Sequence, residues 1–433
     1  MSLFELAAAL LAITGVFAWV NHRFVGLPQS IALLLIGLIA SVLLLCVEFL
    51  FPQITVYQQL TDLVRKVNFQ QTVLQGILGF VLFAGGLHTD VLRLKQRAVS
   101  VGLMATLGVT ISMAVVGVGA WGAAGLFGLG LPLAGALVFG ALISPTDPVA
   151  VLSTLRQVRV PETIESDMAG ESMFNNGIGI VAFTVLLAIA GNSEAGGVTA
   201  LQIAELFFQE ALGGALLGLL CGYVAYLGIR TIDDFPIEIL MSLALVTATY
   251  ALATRLHMSG PISVVVAGLV LGHRGPRDAM SEQTKRALFG FWRVIDQILN
   301  AVLFLLIGLE VMVLRFELAF AWMMAIGILL VFAGRCMAVI IPVLLLRRWH
   351  FFARGTIPVL IWGGLRGGIS VALALSMPES QNKALLLAMT YTVVLFTIIV
   401  QGLSLGAVIT RVVHRPQIRT GTSDGRTESS TQG

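Results

Sequence analysis
Hydrophobic residues in this chain fall into long runs of about 20, the length needed to cross a hydrocarbon layer as a helix. The runs lie at roughly 3–20, 28–50, 70–88, 99–122, 131–155, 167–190, 201–228, 236–254, 259–273, 290–312, 318–346, 355–377 and 384–410, which predicts thirteen transmembrane helices. The ninth is short, and the stretch from Gln58 to Gln71 is amphipathic, as expected of a segment lying at an interface. Polar strings interrupt three of the runs. The fifth carries S-P-T-D-P, Ser144 to Pro148; the sixth carries G-E-S-M-F-N-N, Gly170 to Asn176; the twelfth carries G-G-L-R-G-G, Gly363 to Gly368.

Composition agrees with the pattern. The chain of 433 residues is 57% hydrophobic and 11% charged, with mean hydropathy +0.94, whereas soluble domains carry roughly 25% charge. The fold class is therefore an all-α polytopic membrane protein, with membrane lipid as its first partner. The net charge of +3 says little by itself, and no nucleic-acid partner is expected. The positions of Lys and Arg say more. With the N-terminus outside, nineteen fall in inner loops and the tail, five in outer loops, and Arg335 and Arg366 inside helices. That asymmetry predicts N-terminus out, C-terminus in. The first run lacks a basic leader and is followed by further spans, so it reads as a retained helix. Residues 415–433 are polar and read as a disordered cytoplasmic tail. Cys46, Cys221 and Cys336 lie in apolar runs and suggest no disulfide framework.

An acid near the bilayer centre costs about 2.5–3.5 kcal/mol and usually marks a substrate or proton path. Pro145 and Pro148 remove two amide donors from span 5, and four glycines around Arg366 weaken span 12. Span 5 is fifth in spans 1–6, and span 12 is fifth in spans 8–13. Matched breaks of this kind point to a site between two repeats. Thr146, Asp147, Glu171, Ser172, Asn175 and Asn176 offer only oxygen ligands, which suit hard cations. The six histidines fall at or near loop ends, which argues against a metal cluster or a Ser-His dyad; the chain is not expected to be an enzyme. Glu171 is expected to pair with Arg335 or Arg366, because an unpaired buried charge is strongly destabilising. Asp147 has two readings, a cation ligand or a counter-charge to a half-helix N-terminus. Glu210, Asp296 and Asn300 read as lying nearer helix ends, and Glu310 closes span 10. Gly214, Gly218 and Gly222 form a small-residue stripe expected to serve helix packing.

Four strings in order, S-P-T-D-P-V-A-V (144–151), G-E-S-M-F-N-N-G-I-G-I-V (170–181), F-W-R-V-I-D-Q-I-L-N-A-V-L-F-L-L-I-G-L-E (291–310) and W-G-G-L-R-G-G (362–368), resemble bacterial cation/proton antiporters of the NhaP type. These belong to the monovalent cation:proton antiporter-1 family, related to the animal sodium/proton exchangers. The resemblance covers essentially all the spans. It implies two inverted repeats with spans 5 and 12 as crossed broken helices. It further implies a core of spans 4–6 and 11–13 (about 99–190 and 318–410), a dimerisation part of spans 1–3 and 8–10, and span 7 as linker, together making residues 1–414 the transmembrane domain. The implied activity is antiport of Na⁺ (or Li⁺ or K⁺) against H⁺, without cofactor, by a homodimer in the bacterial inner membrane. Carried over by position, Thr146, Asp147, Ser172 and Asn176 would surround the Na⁺ site, Glu171 would pair with Arg335, and Arg366 would act in the second broken helix. Asn175 fits the electroneutral branch.

One position departs from the family pattern. Where the family reads N-D on span 6, with the acid as carrier, this chain reads Asn175-Asn176. An amide keeps an oxygen ligand but has neither a titratable proton nor a negative charge. The sequence leaves three explanations: an impaired form, which the otherwise intact motifs favour; a carrier role moved to Asp147; or a non-transporting cation sensor.

Overall fold
A computed structural model describes residues 3–50, 72–147, 160–191, 200–311, 320–349 and 351–413, together with 151, 152, 154, 155 and 158. The amphipathic stretch at Gln58–Gln71, inner-loop Arg156 and Arg159, and the tail lie outside the described residues. Those described form helices joined by short links, without a strand.

In chain order the helices are α1 (Leu3–Val20), α2 (Gln29–Leu50), α3 (Leu78–His88), α4 (Val91–Gln96) and α5 (Ala98–Leu126). Next come α6 (Leu133–Ile143), α7 (Glu162–Gly191), α8 (Ala200–Ile229), α9 (Phe235–Arg255), α10 (Gly260–Asp278) and α11 (Glu282–Glu310). The last are α12 (Ala321–Leu346), α13 (Thr356–Trp362), α14 (Gly368–Ser376) and α15 (Lys383–Val413). Among the described residues nine helices are long and apolar enough to span a membrane, so the expected count of thirteen is not reached by that measure. The four that fall short have physical reasons. α3 and α6 are short apolar helices of 11 residues. α10 has 19 residues but ends in the polar string His273–Asp278. The expected twelfth span is split into α13 and α14 by its glycines.

Helix starts follow local chemistry. Asp234, Ser259 and Ser281 accept hydrogen bonds from the backbone amides of Ile237, Ile262 and Thr284, satisfying donors that the first turn leaves free. The cap at Ser281 starts α11 eight residues before the apolar run predicts. Asp296 and Asn300 are consequently mid-helix, which corrects the expectation that they lie near an end.

Two apolar clusters fill the interior. One joins residues of α2, α5, α6, α7, the second half of α11 and α12–α15. The other joins α3, α9, α10 and the first half of α11, with Ile229 and Met173. The glycine stripe of α8 packs on α10. A Cβ at Gly214 or Gly218 would strike the carbonyl oxygen of Ser259 or Ser263, and one at Gly222 would crowd the backbone of Ala267. Close backbone approach of this kind substitutes for the hydrophobic drive that lipid removes. Gly218→Ala should therefore cost about 1–3 kcal/mol by overpacking and lower the melting temperature in detergent. Gly122→Ala, with open space around the new methyl, should not lower it.

Candidate functional site
The two interrupted segments meet at their breaks. α6 stops at Ile143, residues 144–147 are non-helical, and Val151 and Leu152 are helical. Carbonyls at the end of α6 have no helical partner, and helix C-termini carry partial negative charge. Arg366, fully buried in the other break, turns Nη1 toward them, donating to the carbonyl of Ser144 and, at 3.1 Å, to that of Pro145. Its own amide donates to Thr397 Oγ1 at 3.1 Å. In return, the Asp147 amide donates to the Leu365 carbonyl at 2.8 Å. A Cβ on Gly367 would collide with the Asp147 carboxylate, so that carboxylate lies against the positive N-terminal end of α14. Of the two readings of Asp147, this position fits the counter-charge. The same side chain also lines the cavity described below.

A second buried pair flanks the crossing. Arg335 of α12 binds Glu171 of α7 through both carboxylate oxygens, Nη1 to Oε1 and Nη2 to Oε2 at 3.0 Å. Its Nε and Nη2 also donate to the Leu360 carbonyl, near the end of α13, at 3.1 and 2.8 Å. One guanidinium thus neutralises an acid and closes a half-helix. Of the two arginines that sequence offered to Glu171, the partner is Arg335.

Beside them, Thr146 is pinned to α7. Its hydroxyl lies 2.9 Å from Ser172 Oγ and accepts from Asn175 Nδ2 at 2.8 Å, while its amide donates to Asn175 Oδ1 at 3.4 Å. Asn175 is therefore engaged in holding the break. The next residue differs: Asn176 is 2% exposed, and its Oδ1 has no hydrogen-bond partner among the described residues.

Asn176, Thr146 and Asp147 line a cavity of about 650 Å³ where the two apolar clusters meet; Ser172 is not among its lining residues. Sequence reasoning did not place most of the polar residues of that wall, among them Asp296, Asn300 and Ser370. The signal for the first two was the four-residue spacing in D-Q-I-L-N. Asn300 Nδ2 reaches back to the Asp296 carboxylate at 2.9 Å. Also missed was the buried pair of Arg97 with Asp167, in which Nε donates at 2.8 Å and Nη1 donates to the Phe351 carbonyl at 2.9 Å. Among the described residues no group of His, Cys, Asp and Glu is arranged to hold a metal ion.

These features define a class: a multi-pass helical membrane protein with two broken helices meeting beside a cavity of mixed polar and apolar wall. The comparisons narrow it. A family model described as "Sodium/hydrogen exchanger, transmembrane" matches residues 7–411. The chain belongs to that sodium/hydrogen exchanger family. It is 42% identical over 414 residues to the Na(+)/H(+) antiporter NhaP of Pseudomonas aeruginosa, covering 94% of this chain and 96% of that protein. It is 37% identical over 390 residues to the Na(+)/H(+) antiporter NhaH of Halobacillus aidingensis, covering 89% and 92%. In fold it resembles the sodium proton antiporter MjNhaP1 from Methanocaldococcus jannaschii, with TM-score 0.73 and 19% identity over 96% of this chain and 100% of the other.

The Glu171–Arg335 geometry sets an expectation for stability. Glu171→Ala leaves a buried guanidinium without its acid and should cost about 3–5 kcal/mol. Glu171→Gln combined with Arg335→Met removes both charges and should recover part of that loss in thermal melts in detergent.

Proposed function
We propose that this fold exchanges a monovalent cation for H⁺ by alternating access, with position 176 as carrier, and that Asn176 impairs the exchange in this chain. Na⁺ is the first candidate, with Li⁺ and K⁺ as variants. The observation that carries the reading is Asn176 itself, a buried side chain on the cavity wall whose carbonyl oxygen is unpartnered. Charge arithmetic at the crossing supports it. Arg335 and Arg366 balance Glu171 and Asp147, counting all four as ionised, so the crossing is neutral as built. A carboxylate at position 176 would add one negative charge, which either a proton or a cation can neutralise, each displacing the other. That competition yields one-for-one electroneutral exchange. With an amide there is no charge to neutralise and no proton to release.

In this reading Thr146, Asp147 and Asn176 face the ion, while Ser172 and Asn175 hold the first break in register. The names of the two relatives above, both printed as Na(+)/H(+) antiporters, favour sodium, and the proposed exchange calls for no cofactor. Division into a moving core and a dimerisation part is supported by the two apolar clusters. The match is incomplete, because α2 and the second half of α11 pack with the core. The arginine and lysine distribution supports an outside N-terminus and a cytoplasmic C-terminus in a bacterial cytoplasmic membrane, and a homodimer completes the proposal. A cation sensor without transport is the second reading, favoured because Asn176 retains an oxygen ligand.

Paired proton-flux assays in inverted vesicles separate these readings. Asn176→Asp should show Na⁺-dependent proton movement, and the unaltered chain should stay near the background of empty vesicles. Equal rates for both chains across pH would remove position 176 from the carrier role. Cation-dependent stabilisation without flux in both chains would favour the sensor.

A further inference from the structure
We propose that Ser370, in the first turn of α14, supplies an oxygen ligand to the cation, so that the ion is held between α7 and the second broken helix. This rests on the exchanger reading for its ligand class, a hard monovalent cation. Among the described residues, several buried side-chain polar atoms lack a hydrogen-bond partner, but only Asn176 Oδ1 and Ser370 Oγ belong to residues lining the cavity. Both residues are almost fully buried, at 2% and 1% exposure. They stand on different helices that wall one cavity, and buried oxygens without partners are the kind of group that replaces an ion's hydration shell.

The fold explains why Ser370 is unpartnered. A serine in an apolar helix ordinarily returns its hydroxyl to a carbonyl one turn earlier. Ser41 does so to Gly37, Ser144 to Gly140 and Ser263 to Ser259. Ser370 is the third residue of its helix, so the residues one turn back, Arg366 and Gly367, belong to the break. The break thereby removes the internal acceptor and leaves the hydroxyl free to serve the cavity.

Electrostatics at this position would oppose a cation if α14 began there alone, because helix N-termini carry positive charge. The Asp147 carboxylate against Gly367 cancels that field. Arg366 does not line the cavity, and its Nη1 is turned to the Ser144 and Pro145 carbonyls. The Thr146 hydroxyl is shared with Ser172 and Asn175. Among the described residues, the buried side-chain oxygens of the cavity wall that have no hydrogen-bond partner are therefore those of Asn176 and Ser370.

The test uses full-length protein in detergent, in the Asn176→Asp background, with Na⁺ titrated against thermal stability. Ser370→Ala and Ser370→Cys should each raise the Na⁺ concentration for half-maximal stabilisation by about tenfold or more. Cysteine fills the serine volume, but its sulfur is a soft ligand and a poor one for a hard cation. It therefore separates loss of the oxygen from loss of packing. Unchanged half-maximal Na⁺ in Ser370→Ala, recovery in Ser370→Cys, or absence of Na⁺ stabilisation in the Asn176→Asp parent would each overturn the assignment. Proton flux is measured on the same variants. If Asn176→Asp moves no protons, the exchange reading falls, while Na⁺ stabilisation that depends on Ser370 still supports the ligand.

Discussion
Backbone groups released inside an apolar slab have no water to bind, and this constraint organises the centre of the molecule. At the first break, carbonyls of residues 144 and 145 are met by Arg366. At the second, the Leu360 carbonyl is met by Arg335. Each arginine then requires an anion, because a lone buried guanidinium is more expensive than the carbonyls it satisfies. Glu171 is that anion for Arg335. Asp147 contributes the other negative charge, and its contact with Gly367 also offsets the N-terminal end of α14. The irregular backbone, two cations and two anions form one interdependent unit. Irregular backbone survives at such depth only where protein or a cavity satisfies it.

This arrangement makes residue 176 consequential. The four charges at the crossing cancel when all are ionised, so a carboxylate at position 176 would add one negative charge beside them. In the proposed exchange, a carboxylate there would bind a proton or a cation in turn. An amide leaves a neutral site with an oxygen facing the cavity. The neighbouring Asn175 is chemically identical but differently placed: its amide spans the Thr146 backbone and hydroxyl. Two adjacent asparagines thus have separate placements, one tying the break to α7 and one on the cavity wall.

Much of the fold was legible because lipid imposes simple patterning. Long apolar runs, the Pro-rich and Gly-rich interruptions, and the glycine stripe of α8 are local signals with direct structural consequences. Physical reading narrowed the partner of Glu171 only to two arginines, and the family resemblance named Arg335; the pair closes across 164 residues, so packing alone selects it. Helix α11 was misjudged at its start because hydropathy ignores a polar first turn that Ser281 caps. That error moved Asp296 and Asn300 off the cavity. Ser370 escaped notice because serine in an apolar helix is usually self-satisfied, and its exception depends on where α14 begins.

The most direct measurement of the central claim is proton release on cation binding, read by calorimetry in buffers of different ionisation enthalpy. The account predicts that Na⁺ binding to Asn176→Asp displaces a proton, whereas Na⁺ added to the unaltered chain displaces none. Equal proton release from both proteins would show that the exchanging acid lies elsewhere and would contradict the role assigned to residue 176.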